Sequence, residues 1–320
     1  MIDKFERKIN YMRISVTDRC NLRCEYCMPV VGVPKKAHNE ILRLEEIESI
    51  IIEGINLGID KVRLTGGEPL VRKGIMGLIS NIAKTKGLKD FAITTNGVLL
   101  KKYAKELKDR GLKRVNVSID SLNDKTYEKI TKGGNLKKVL EGIEVAKKVG
   151  LTPLKLNIVL MKGINDHEIG DFIELTRNEE IEVRFIELMP IGEASSWTKG
   201  YHLPNTAVKE RFKELIPIDV ENKSIPAKRY KIPKHKGTVG LINPLSECFC
   251  DGCNRIRITA DGKIKPCLHS NYELDIRELK KQGLSMREIL MISVSEKPEK
   301  HSITDKGFKP IKRNMNQIGG

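Results

Sequence analysis

Two apolar patterns alternate along the first two-thirds of the chain. Short β-branched runs, Met12 to Val16, Lys61 to Thr65, Phe91 to Thr94, Arg114 to Ile119, Leu154 to Leu160 and Ile181 to Leu188, have the length and composition of buried parallel strands. Between them apolar residues recur at helical spacing. Examples are Ile47, Ile50, Ile51 and Ile55 ahead of Gly58, and Leu136, Val139, Leu140, Ile143 and Ala146 ahead of Gly150. Each glycine suits the left-handed residue that ends a helix.

Strand then helix, six times over, predicts an α/β fold with a parallel sheet and right-handed crossovers. Periodicity alone fits an open doubly wound sheet and a partial barrel equally. The unusual residues separate them. The cysteine loop, Thr65-Gly-Gly-Glu-Pro69, Thr94-Thr-Asn96, Ser118-Ile-Asp120 and Glu187-Leu-Met189 all fall at or just after strand C-termini, the face where a barrel gathers its site. The expected fold is a partial (β/α)6 TIM-type barrel. After about residue 190 the repeat lapses into a stretch rich in Pro, Lys and aromatic residues. A boundary near residue 218 divides the barrel, 1–218, from a C-terminal extension, 219–320, packed against it.

Charge narrows the partners. Lys and Arg (58) exceed Asp and Glu (42), a net charge of +16, which favours anionic ligands, although many charged side chains also serve solubility. No apolar run approaches the roughly 20 residues of a membrane span, and MIDKFERKIN lacks the apolar core of a signal peptide. A soluble, cytoplasmic protein without a membrane partner is expected. No RRM, KH or zinc-finger signature is present and aromatics are only 5%, so nucleic acid is not an expected partner. Monomer and homodimer both stay open.

The seven cysteines fall into two groups, Cys20, Cys24 and Cys27, then Cys248, Cys250, Cys253 and Cys267. An odd, clustered set suits metal ligands better than disulfides. Three thiolates in C-x3-C-x2-C spacing, with no histidine well spaced as a fourth ligand, fit a 4Fe-4S cluster with one open iron better than structural zinc. The later C-x2-C-x13-C set again leaves one coordination position over. Cys248, one residue short of Cys250, reads as a free thiol.

The C-x3-C-x2-C loop with Tyr26 before its last cysteine, together with Gly66-Gly67-Glu68-Pro69, resembles the radical S-adenosylmethionine (SAM) superfamily. The resemblance implies a cluster on Cys20, Cys24 and Cys27 whose open iron takes the methionine end of SAM. It also implies a SAM pocket of Tyr26, Gly67, Glu68, Ser118, Arg184 and Met189. Within that superfamily the chain is similar to the branch that cyclises GTP for molybdenum cofactor biosynthesis. The similarity rests on Arg13, Lys61-Val-Arg63-Leu-Thr-Gly-Gly-Glu-Pro, Thr94-Thr-Asn-Gly, Lys155, Arg184-Phe-Ile-Glu-Leu-Met189, Cys253-Asn-Arg255-Ile-Arg257 and the terminal Gly319-Gly320.

That branch implies a second 4Fe-4S cluster on Cys250, Cys253 and Cys267, and GTP contacts from Arg13, Lys61, Arg63, Thr94, Lys155, Arg255, Ile256 and Arg257. Cys20, Cys24, Cys27, Arg255 and Arg257 are then the catalytic residues, and the Gly-Gly tail reaches back into the site. The implied reaction is radical abstraction of the ribose C3′ hydrogen and closure onto guanine C8. An external electron donor, and a following enzyme that makes cyclic pyranopterin monophosphate, are the implied partners. Two rivals remain: a radical SAM maturase acting on a peptide, and a non-catalytic iron-sulfur protein that binds RNA. Arginines between the second set of cysteines disfavour the first rival, and the missing RNA-binding signatures disfavour the second.

Overall fold

The computed structural model describes residues 1–34, 36–219, 224–303 and 305–319. Gly320, the last residue of the expected Gly-Gly tail, lies outside the described residues.

Six strands follow the predicted runs: β1 (Tyr11–Ser15), β2 (Lys61–Thr65), β3 (Asp90–Thr95), β4 (Arg114–Ser118), β5 (Leu154–Leu160) and β6 (Ile181–Glu187). They lie side by side in chain order, all parallel. The crossovers carry helices α1 (Leu44–Asn56), α2 (Ile75–Ala83), α3 (Leu100–Asp109), α4 (Asp124–Thr131), α5 (Leu136–Lys148) and α6 (Ile169–Glu174). Asn123 and Asn135 cap α4 and α5 by accepting the amides of Thr126 and Lys138. Past the ends of α1 and α5, Gly58 and Gly150 take φ of +96° and +75°, which a side chain would strain.

The sheet runs past these six strands. Later come β7 (Ile216–Pro217), β8 (Ala227–Lys231), β9 (Thr238–Ile242), β10 (Arg255–Ile258), β11 (Lys263–Lys265) and β12 (Leu274–Asp275). β9 adds parallel to β6 and β10 adds parallel to β1, so eight parallel strands make the barrel wall. Antiparallel β8 and β7 finish one edge, β11 and β12 the other. The extension is woven into both rims of the barrel. None of β7 to β12 showed in the sequence pattern: β7, β11 and β12 have only two or three residues, and β10, Arg-Ile-Arg-Ile, turns arginine to one face.

The outward strand positions, Met12, Ile14, Val62, Leu64, Val115, Val117, Leu156, Ile158, Val183, Phe185, Ile256 and Ile258, are buried beneath the helices. Ile47, Ile50, Ile51 and Ile55 of α1 meet them from the other side, each side chain contributing about 1.5–3 kcal/mol on burial. Among the described residues no helix is long and apolar enough to cross a membrane.

Candidate active site

Alternation along the strands turns every second residue into the barrel. Register then sets these residues side by side: Arg13 beside Arg63 and Arg257, Tyr11 beside Lys61 and Arg255, Thr94 beside Asn116, Asn116 beside Lys155, Lys155 beside Glu182, and Arg184 beside Asn157. Arg114 and Asp90 share this inner face, joined by a two-bond pair of 3.0 and 2.5 Å. The interior is therefore lined by cations from six strands, opposed by Asp90 and Glu182. Glu182 holds three of the cations, with Lys155 Nζ at 2.7 Å, Arg184 Nε at 2.6 Å and Arg229 Nε at 3.8 Å.

Burial, then the neighbouring Arg257, pulls the pKa of Arg13 down to about 9. Burial and Arg13 bring Arg63 down to about 9, and burial and Arg255 bring Arg257 down to about 10. All three stay charged at neutral pH. Among the described residues Arg63 Nε, Arg255 Nε, Thr94 Oγ1 and Asn116 Nδ2 are buried without a hydrogen-bond partner, and unpaired buried donors of this kind are costly unless a ligand accepts from them. A polyanion meets that demand.

The first cysteine set lies beyond the C-terminal end of β1. Its loop is strapped to α4 by Arg23 N–H to Thr131 O (3.1 Å) and Glu25 N–H to Ile130 O (3.0 Å). Tyr26 donates its hydroxyl to Asp120 Oδ2 at 2.7 Å, and Asp120 Oδ1 accepts from Val159 N. Burial raises Cys24 well above the ordinary thiol value, and Cys27 and Asp120 add to it; burial likewise pushes Cys27 up to about 12. Such thiols become ligands only where a metal cluster supplies positive charge.

Gly66 and Gly67 press on this loop from β2. A Cβ on Gly67 would stand 2.4 Å from Arg19 O, and one on Gly66 2.5 Å from Thr17 O. Gly67 N–H and Glu68 N–H donate to Thr17 O and Arg19 O. The Glu68 carboxylate, wholly buried, accepts from Leu70 N, Thr95 Oγ1 and Asn96 N, and burial raises its pKa to about 7. With its backbone N–H on Arg19 O as well, Glu68 binds three strand-end loops into one rim. Asn96 in turn donates to Cys20 Sγ at 3.7 Å.

The second set lies at the other end. Because Tyr11 pairs with Arg255, Cys253 sits level with the start of β1, and five strand residues at about 3.3 Å each put roughly 16 Å of barrel between the two sets. Cys250, Cys253 and Cys267 accept the backbone N–H of His301, Arg255 and His269 respectively. Among the described residues no three His, Cys, Asp or Glu side chains converge as a single-ion site. Cys248 is exposed.

The C-terminal segment threads the barrel mouth. Asn316 Nδ2 donates to Asp18 O at 2.9 Å, the Asn316 amide reaches Cys27, and Arg257 donates to Gly319 O at 3.1 Å. Gly319 packs so tightly on Thr65 and Ser15 that a Cβ would meet Thr65 Oγ1 at 2.4 Å.

Most of the residues singled out in the sequence face this channel or its two ends. Ser118 lies at the inner end of β4, Arg184 on β6, and Met189 just beyond it with Sδ 3.1 Å from His269 Nε2. The Ile256 side chain, level with Met12, is fully buried under the helices, so its backbone is the part that a ligand in the channel could meet. Sequence reasoning missed Tyr11, Arg114 and Glu182; inward parity at a strand position was the signal that would have found them.

Residues 14–176 match the Radical SAM superfamily and residues 181–303 match Molybdenum Cofactor Synthesis C. GTP 3′,8-cyclases of Alkaliphilus oremlandii and Peptoclostridium acidaminophilum are 56% and 52% identical, covering 100% of this chain and 100% and 98% of theirs. In fold, SuiB of Streptococcus suis bound to S-adenosylmethionine is similar with a TM-score of 0.61 at 15% identity, over 92% of this chain and 76% of that one. The chain belongs to the GTP 3′,8-cyclase family of radical SAM enzymes.

Proposed function

We propose that the chain binds GTP inside the barrel, between its two cysteine sets, and closes ribose C3′ onto guanine C8 to give 3′,8-cyclo-7,8-dihydro-GTP. The cationic interior strung between two three-thiol loops is the observation that carries this reading. A triphosphate brings three to four negative charges, and Arg13, Lys61, Arg63 and Lys155 meet them with charge-assisted hydrogen bonds that arginine doubles through its planar fork. Thr94 Oγ1 adds a neutral donor. Arg255 and Arg257, two residues apart on β10, face the same volume from beside the second thiol set.

Cys20, Cys24 and Cys27 would hold the first 4Fe-4S cluster, and Cys250, Cys253 and Cys267 the second. When bound, the first cluster and SAM supply the 5′-deoxyadenosyl radical that removes the C3′ hydrogen. The chain's own task is to hold reactants in register and keep water out. Gly66 and Gly67 bring the rim close enough for backbone carbonyls to accept the SAM amino group. Glu68 acts through position, its carboxylate being committed to Leu70, Thr95 and Asn96. Ser118, Arg184 and Met189 line the SAM side, and Tyr26, braced by Asp120, offers its ring to the adenine. Anchoring base and triphosphate separately holds the ribose in place facing the radical source.

The test is mass spectrometry of products after anaerobic incubation of the reconstituted protein with SAM, a strong reductant and GTP, beside a reaction without GTP. A cyclised GTP derivative formed with 5′-deoxyadenosine supports the reading; 5′-deoxyadenosine with GTP unchanged overturns the substrate. Cys24→Ala should yield no 5′-deoxyadenosine. Arg257→Ala should keep both clusters yet lose GTP-dependent turnover, and normal cyclisation by that variant would remove Arg257 from the site.

A further inference from the structure

Lys297 is a lysine with 2% of its surface exposed, four residues before His301, whose amide reaches Cys250. Its Nζ donates to Arg255 O at 2.8 Å and Pro266 O at 2.9 Å, and lies 3.7 Å from Cys253 Sγ. Three acceptors match the three N–H bonds of an ammonium; a neutral amine has only two. The segment is held from the far end of the chain. Arg7 donates to Pro298 O at 2.7 Å, to Glu299 O at 2.7 Å and to Cys250 O at 2.9 Å, and is itself fixed by Asp3. Thus one guanidinium ties the backbone of Cys250 to the residues that follow Lys297, while Lys297 ties the backbone on both sides of the cluster loop, at Arg255 and Pro266, to the Cys253 sulfur.

We propose that Lys297 is a positioning residue for the second cluster, its buried ammonium holding the Cys253 thiolate and setting that cluster's reduction potential above the value the thiolates alone would give. The inference rests on the reading that Cys250, Cys253 and Cys267 hold a cluster. A positive charge and a hydrogen bond at a ligand sulfur both favour the more reduced, more negative state. Arg255 and Arg7 add to the positive surroundings of Cys253, whereas the first set has Asp120 beside Cys24 and Glu68 beside Cys20. Arg23 is the cation beside the first set, against Lys297, Arg255, Arg7 and Arg257 beside the second, so the second cluster is the easier to reduce. A low potential at the first suits a centre that must reduce a sulfonium. A higher one at the second suits a centre that must bind substrate without spending that electron.

Redox titration of the two clusters in the full chain, followed by electron paramagnetic resonance with iron counted in parallel, tests this. Lys297→Met should leave the first cluster unmoved and lower the second cluster's reduction equilibrium at least tenfold, about 60 mV for one electron. Lys297→Arg should restore most of the shift. A fully loaded Lys297→Met protein with an unchanged second potential would overturn the proposal, as would equal shifts in both clusters. If Lys297→Met loads only the first cluster, Lys297→Gln decides: selective loss there too supports a thiolate-holding role, and a normal potential overturns the charge. Loss of both clusters would mark Lys297 as a residue of the fold and overturn it as well. Wild-type protein that binds no second cluster would instead refute the reading beneath it, a result seen in the iron count before any variant is made.

Discussion

Glu182 shows how one side chain can govern a site without carrying its chemistry. It is almost fully buried, and desolvation alone would raise its pKa, but Arg184 and Lys155 outweigh that and hold it near 2. The sign follows from linkage. A carboxyl whose folded value lies below its unfolded value of about 4.5 stabilises the fold above that pH, and the contribution is lost as pH falls from about 4.5 toward 2. At 1.36 kcal/mol per unit this is on the order of 3 kcal/mol, similar to the cost of breaking a buried ion pair. Glu182→Gln should lose about that much in denaturant unfolding at pH 7, and the gap from the parent should narrow at pH 3. A gap that is the same at both pH values would show that the charge is not what Glu182 contributes. The cysteines, Gly66-Gly67 and the strand-end bases were legible in the sequence because their chemistry and spacing are both unusual. Glu182 and Tyr11 were not, because an ordinary residue type becomes functional only through inward parity and cross-strand register; nor was Lys297, which meets Cys253 only because the chain after the last long helix folds back beside it.

At the scale of elements, six strands and the helices between them followed from hydrophobic period, with ends off by a residue or two. The C-terminal segment did not, since a stretch of mixed polarity carries no period to read. Its position is fixed by charge. Arg313 donates to Glu273 through Nε at 2.6 Å and to Asp261 through Nη1 at 3.1 Å, and Lys36 closes on the same Asp261. Hydrogen bonds to charged groups contribute about 1.5–3 kcal/mol each. With water replacing part of what is lost, a net cost equal to one such bond means that Arg313→Ala should loosen the tail by roughly ten- to a hundredfold, at 1.4 kcal/mol per factor of ten. Limited proteolysis should cut near the C-terminus faster by that factor while iron content stays level. GTP turnover should fall with it, because the Arg257 contact to Gly319 is lost. Turnover that drops while cleavage stays slow would separate the two effects and sink the docking account.

At the scale of the whole molecule, the lapse of the repeat suggested a division near residue 218, yet the sheet crosses it. β9 and β10 both come from beyond that point and complete the wall beside β6 and β1, which no local pattern announces. Cutting there would bare the edges of β1 and β6 and open one side of the packing around Met12 and Ile14. Exposed edges and apolar faces of that size lead to aggregation. Residues 1–218 expressed alone should accordingly be insoluble or lack fixed tertiary structure by near-ultraviolet circular dichroism. The intact chain, freed of clusters, should lose barrel and extension together in one calorimetric transition, since each part lends the other its strand partners. Two resolved transitions, or a soluble fragment with native-like aromatic signal, would show the barrel standing without its extension. The second thiol set would then be an attachment to a finished fold, and the channel between the two sets a product of docking rather than of folding.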